Sequence, residues 1–156
     1  MSEEEGRGGR PPHYEQRLSN AQAAIGLRQL QRLNTNLAHR RATAAEYTAR
    51  LPLVGFAVPQ PPVKAEPAFV RYPVCVKDPD KVQRDVVEHA TLGDWFSSIL
   101  SWPDSPAYDD YEAGSCPRAE EAIRHLVNLP THPWVRAQDV ETIVAAVARA
   151  EAMTRG

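Results

Sequence analysis

The sequence predicts an α+β fold: a long N-terminal helix plus a small, mostly antiparallel sheet covered by three shorter helices. Three stretches carry that expectation. Ser19 to Leu51 contains no proline and repeats apolar residues at helical spacing. Phe69 to Lys77 is β-branched and aromatic, and Asp78-Pro79 behind it opens a helix. Arg136 to Met153 is a second amphipathic helical run.

Taken in order, Met1 to Pro12 (MSEEEGRGGRPP) has no hydrophobic pattern and reads as part of a disordered leader over residues 1–13. Its GRGGR is a single arginine-glycine box, for which a flexible leader is a better account than an RNA contact. In the long helix, Ser19 and Gln22 form a capping box. Leu18, Ala21, Ile25, Leu30, Leu33, Leu37, Ala44, Tyr47 and Leu51 mark one face, with a weak break near His39 to Arg41. Arg28, Arg32, Arg40, Arg41 and Arg50 fall mostly off it, and Pro52 ends the run. At ~1.5 Å per residue this helix is about 50 Å long. That exceeds a small domain, so one end is expected to pack on something else.

Leu53 to Val58 is expected as a short strand, and QPPVKAEP (Gln60 to Pro67) as an exposed connection. In the next strand Val70, Tyr72, Val74 and Val76 share a face, and Pro73 confines it to an edge or a bulge. Asp78 as cap and Pro79 at the first position start a helix to about Ala90, with Val82, Val86 and Val87 inward. Thr91-Leu92-Gly93 breaks it, and Asp94 to Leu100 reads as a further strand. Ser101 to Ser115 is a long loop whose Trp102, Tyr108 and Tyr111 cover a core or face a ligand. Pro117 opens a helix to about His125, with Ala119, Ala122, Ile123 and Leu126 on one side. Val127 to Leu129 is extended, Pro130 to Pro133 turns, and the last helix points Val140, Ile143, Val144 and Val147 inward.

The totals exclude several function classes. A chain of 156 residues is enough for one domain, and its net charge of −2 favours neither nucleic acid nor a membrane surface. No run of ~18 apolar residues is present. Cys75 and Cys116 form no CxxC pair, and a disulfide between them cannot be read from sequence; free thiols in a reducing cytoplasm are expected. His13, His39, His89, His125 and His132 show no metal-ligand spacing. There is no HExxH, GxSxG, Walker loop or GxGxxG. Asp109, Asp110 and Glu112 read as a solvated acidic loop. Composition and spacing stop at an α+β domain with no self-contained catalytic constellation.

The order of local phrases goes further. RLSNAQAAIGLRQLQRL (Arg17 to Leu33), RRATAAEYTARL (Arg40 to Leu51), RYPVCVKDPDKV (Arg71 to Val82) and CPRAEEAIRHLVNLPTHPWVRAQDVETIVAAV (Cys116 to Val147) together resemble the DegT/DnrJ/StrS family of sugar aminotransferases. The resemblance covers about Tyr14 to Ala152. It implies the C-terminal small domain of a fold-type I enzyme over residues 14–154. The family's chemistry passes an amino group from glutamate to a nucleotide-linked keto sugar, through a lysine-bound pyridoxal phosphate that serves as electron sink. Its enzymes are homodimers whose subunits share active sites.

The family's lysine and most phosphate contacts belong to a large domain, for which Met1 to His13 leaves no room. The chain has three lysines, Lys64, Lys77 and Lys81; Lys64 in a proline-rich connection and Lys81 on an exposed helix start offer no desolvated imine-forming position, so this chain alone is not expected to transaminate. Arg17 matches the arginine of an Asn-x-Arg motif that reaches the neighbouring active site. Glu15 stands where the asparagine would contact the cofactor phosphate, and a carboxylate there would repel it. Ile99-Leu100-Ser101-Trp102 replaces the family's Pro-Leu-His phrase, so that histidine has no counterpart. His132 falls in the Leu-Pro-x-His-Pro phrase, where a turn-stabilising role is expected. The rival reading is a stand-alone, non-catalytic dimerisation module derived from the same family.

Overall fold

Helix propensity and capping are enough to start the first helix. The computed structural model describes residues 9–10, 14–93 and 111–153. Helix α1, Asn20–Gln31, follows the predicted box: Ser19 N donates to Gln22 Oε1 at 2.9 Å, and Gln22 N donates to Ser19 Oγ at 3.2 Å. The run expected as one helix is two. Arg32 forms a turn at φ −93° and ψ −2°, and α2 spans Leu33–Arg50. The break lies seven residues before the weak point expected at His39, and nothing in the residues around Arg32 explains it.

The chain divides into two compact units. One comprises Met1–Gln31 and Phe96–Ile123, the other Arg32–Trp95 and Arg124–Gly156. In the first, α1 buries none of its residues. The same unit contains most of helix α4, Pro117–His125, again with no buried residue. Glu120 closes the start of α4: its Oε1 accepts from Tyr111 OH (2.8 Å), Gly114 N (2.8 Å) and Cys116 N (3.2 Å). Gly114, at φ 90°, supplies the left-handed step that lets the loop fold back onto that carboxylate.

The second unit holds the core. Tyr47 on α2 and Leu51, four residues on and just past its end, are fully buried. The segment after α2 is not the expected strand. Leu51–Val54 continues as a 3₁₀ turn with Pro52 at its start, and Gly55 at φ 88° closes it. Strand β1, Arg71–Cys75, runs antiparallel to β2, Leu126–Pro130, with Arg71 opposite Pro130 and Cys75 opposite Leu126. Pro73 sits opposite Asn128 in unbroken register, so the expected edge position holds and no bulge is needed. Tyr72, Val74 and Val76 point into the core as their alternation requires, whereas Val70 is exposed. Gly93 N donates to Asn128 O at 2.9 Å. The strand expected from Asp94 to Leu100 and the loop to Asp110 lie outside the described residues.

Helix α3, Pro79–Val86, begins as its residues dictate: Asp78 Oδ1 accepts from Lys81 N at 2.9 Å and Pro79 takes the first helical position. It ends at Val86 rather than Ala90. Val87 therefore turns outward, and only Val82 and Val86 are buried. Both face α5, Ala137–Ala152, against which α2 also packs. Val140, Ile143, Val144 and Val147 form the inward stripe of α5 as expected. Each such buried aliphatic side chain contributes about 1.5–3 kcal/mol by leaving water. Polar ties lock the layers. Lys81 Nζ donates to Asp85 Oδ2 (2.8 Å) and across to Ala150 O (3.1 Å), and the buried Glu151 carboxylate accepts from Lys77 N at 3.0 Å. Cys75 and Cys116 are both free thiols and both exposed.

Candidate functional site

The two residues expected to meet a cofactor lie just ahead of α1, in an exposed stretch. Arg10 reaches across it. Its Nη2 pairs with Glu15 Oε1 at 3.2 Å, and its guanidinium lies over the Tyr14 ring, 4.9 Å from the centroid. Glu15 is thus brought together with Arg10 and not with Arg17. With both partners highly exposed, the pair adds little stability. Arg17 stands in solvent two residues before the capping Ser19. Beyond it, Leu18, Ile25, Leu27 and Leu30 expose about two thirds of their surface each. A basic residue followed by an uncovered apolar helix face is what this region offers.

In the second unit two phrases singled out in the sequence converge on one point. Arg40 Nη1 donates to Val70 O (2.8 Å) and Thr131 Oγ1 (3.0 Å). Thr131 Oγ1 in turn donates to Phe69 O (2.6 Å) and Val70 O (3.0 Å). Tyr47 OH donates to Pro130 O at 3.1 Å within the core, and burial drives its ionisation well above the ordinary tyrosine range. Arg41 ties down the proline-rich connection through Pro67 O (3.3 Å) and Glu66 Oε2 (3.3 Å). The turn expected at His132 is closed by Val135 N donating to His132 O at 2.9 Å, and the neighbouring Thr131 ties the turn to Phe69, Val70 and Arg40. The His132 Nδ1 atom is buried and meets no hydrogen-bond partner among the described residues. Its ring touches Trp134 edge-on at 5.9 Å. Burial, then the charges of Arg71, Arg40 and His39, push its pKa below the ordinary histidine value.

Of the loop aromatics, Tyr111 serves structure: its hydrogen bond to Glu120 pushes its pKa up to about 12. Trp102, Tyr108, Asp109 and Asp110 lie outside the described residues, as does the Ile99 to Trp102 phrase. Among the described residues no group of His, Cys, Asp or Glu is placed to hold a metal ion, and no helix is long and apolar enough to cross a membrane. The lysines do not fit a covalently held pyridoxal phosphate. Lys64 and Lys77 are exposed, and Lys81 is committed to Asp85 and Ala150. An imine-forming lysine needs a desolvated pocket that none of them has.

Residues 3–148 match the model of the DegT/DnrJ/EryC1/StrS aminotransferase family. The chain belongs to this family. It is 28% identical over 131 residues to the UDP-2-acetamido-2-deoxy-3-oxo-D-glucuronate aminotransferase of Pseudomonas aeruginosa, a match that covers 84% of this chain and 36% of that enzyme. Among solved structures it resembles S. venezuelae DesV in complex with a ketimine intermediate (TM-score 0.74, 26% identity, 93% of this chain and 42% of that one). A family aminotransferase from Brucella abortus shares the fold (TM-score 0.73, 24% identity, 86% and 36%). The chain therefore spans little more than a third of the length of the curated relative it matches.

Proposed function

We propose that this chain is the C-terminal small domain, residues 14–154, of a pyridoxal-phosphate-dependent aminotransferase that moves an amino group from glutamate to a nucleotide-linked keto sugar. The observation that carries the reading is the family match over residues 3–148. The 36% coverage of the curated relative agrees with a missing lysine-bearing large domain, which would hold the cofactor. When bound there, pyridoxal phosphate supplies the electron sink for amino transfer. This chain's own part is to cover one side of the substrate cleft in a cytoplasmic homodimer. Its exposed α1 face packs on the large domain, and Arg17 reaches the partner subunit's phosphate or carboxylate group. Glu15, held by Arg10, takes no part in that contact.

The test is reconstitution. The chain is mixed with the large domain of the same enzyme, and cofactor absorbance and glutamate-dependent amination of a nucleotide keto sugar are followed. Recovery of both, with a loss of activity in Arg17→Ala, is expected. A mixture that does not associate overturns the reading, and full activity of Arg17→Ala removes the site assignment.

A second reading is a non-catalytic dimerisation module, favoured by the apolar stripe of α1 and by the lack of a pocketed lysine. The mass of the polypeptide in its host separates the two. A value far above 17.3 kDa supports the first; 17.3 kDa with a stable homodimer of this chain alone supports the second.

A further inference from the structure

The exposed first helix carries a single charge, and that charge lies in a groove. Helix α1 is 12 residues long and buries none of them, a length that is marginal in water without packing. Ile25 and Leu27 sit about 200° apart around it, so its apolar residues are not confined to one stripe. The arc between them holds Ala24, Arg28 and Gln31, and these five side chains line an open groove. Arg28 is the one charged residue of α1. It is exposed and makes no ion pair or hydrogen bond among the described residues.

We infer that the surface seated on this groove is an apolar face of the large domain bearing a carboxylate that pairs with Arg28. The inference rests on the reading that α1 packs on that domain, and adds the chemistry of the contact. Covering Ile25 and Leu27 takes their apolar surface out of water, which favours association. The same cover strips water from the guanidinium between them, and a buried cation without a partner is strongly unfavourable. A carboxylate offsets that cost with paired, charge-assisted hydrogen bonds, to which the planar guanidinium is suited. A second copy of the chain fits less well. In a two-fold contact α1 meets α1, and residues 16–45 contain no Asp or Glu. The apolar residues would be covered, but two arginines would be left without a carboxylate.

The experiment measures association of the full chain with the large domain of the same enzyme by isothermal titration calorimetry. Because α1 buries nothing, Arg28→Glu is expected to leave the urea midpoint of the second unit unchanged. It is expected to weaken the complex at least about thirtyfold, as breaking a buried charge pair does. Changing the large domain's acidic residues to lysine one at a time should then find one position that restores binding to Arg28→Glu. Unchanged affinity of Arg28→Glu, or a weakening that no such change restores, overturns the charge pair and leaves the packing of α1 on the large domain standing. A natural chain that does not bind the large domain overturns that packing, and the pair with it. A homodimer of the chain alone that is tighter than the complex gives the groove to a second copy and overturns the inference as well.

Discussion

The hydroxyl of Thr131 lies 2.6 Å from the carbonyl oxygen of Phe69, a residue 62 positions earlier in the chain. Phe69 is the one described non-glycine residue with positive φ, at 47°. An aromatic residue in the left-handed region is strained, by about 1–2 kcal/mol. The clamp on its carbonyl and the stacking of its ring on Tyr72, at 5.8 Å, hold it there. Thr131 Oγ1 also accepts from Arg40 Nη1, so one hydroxyl joins helix, loop and turn.

Replacing Thr131 by valine keeps the volume and removes that junction. It strands the Phe69 carbonyl and one Arg40 contact. We expect a loss of about 1–3 kcal/mol in urea unfolding, with Thr131→Ser recovering most of it.

Gly93→Ala tests a close approach rather than a backbone angle. The new methyl would meet Arg71 Nε at 3.2 Å and Asn128 Cβ at 3.3 Å. Arg71 Nε is buried, and Asn128 Cβ is anchored in β2, so neither yields freely. A loss of about 1 kcal/mol is expected, of the kind that overpacking causes. Unchanged thermal unfolding would show that the strand gives way at no cost.

His132 makes stability depend on pH. In the folded chain its pKa lies below the ordinary 6.5 that the unfolded chain retains. As pH falls below 6.5 the unfolded state takes up the proton first, so stability drops until the folded ring is protonated too. Above 6.5 the contribution is complete. Urea midpoints measured across this window should fall with acidification in the natural sequence and fall less in His132→Gln.

Much of the second unit was legible in the residues. The Val140 to Val147 stripe, the Asp78-Pro79 start and the Tyr72-Val74-Val76 alternation each report a local period or a local cap, and each is found where expected. Leu53 to Val58 misled because its apolar residues suit a strand, whereas Pro52 and the left-handed Gly55 wind the chain into a single tight turn. Val87 was placed inward by a helix that stops one residue before it. The candidate sites divide in the same way. Arg17 and Glu15 were visible as a phrase, but Arg10 as the partner of Glu15 was not. The Thr131 junction joins residues from two of the phrases to Phe69 and Val70 between them, and no spacing rule links them.

The first helix offers a separate test. Leu27 and Leu30 expose 63% and 64% of their surface. Leu27→Asp with Leu30→Asp should leave the urea midpoint of the second unit within about 0.5 kcal/mol, as surface changes do. Sedimentation should show less self-association than the natural sequence. A second unit that unfolds earlier would mean that the stripe supports the core.

The grip of Glu151 on the Lys77 amide makes the last turn of α5 an anchor for the connection between β1 and α3. Glu151→Ala would release that connection and fray the last turn of α5 with it.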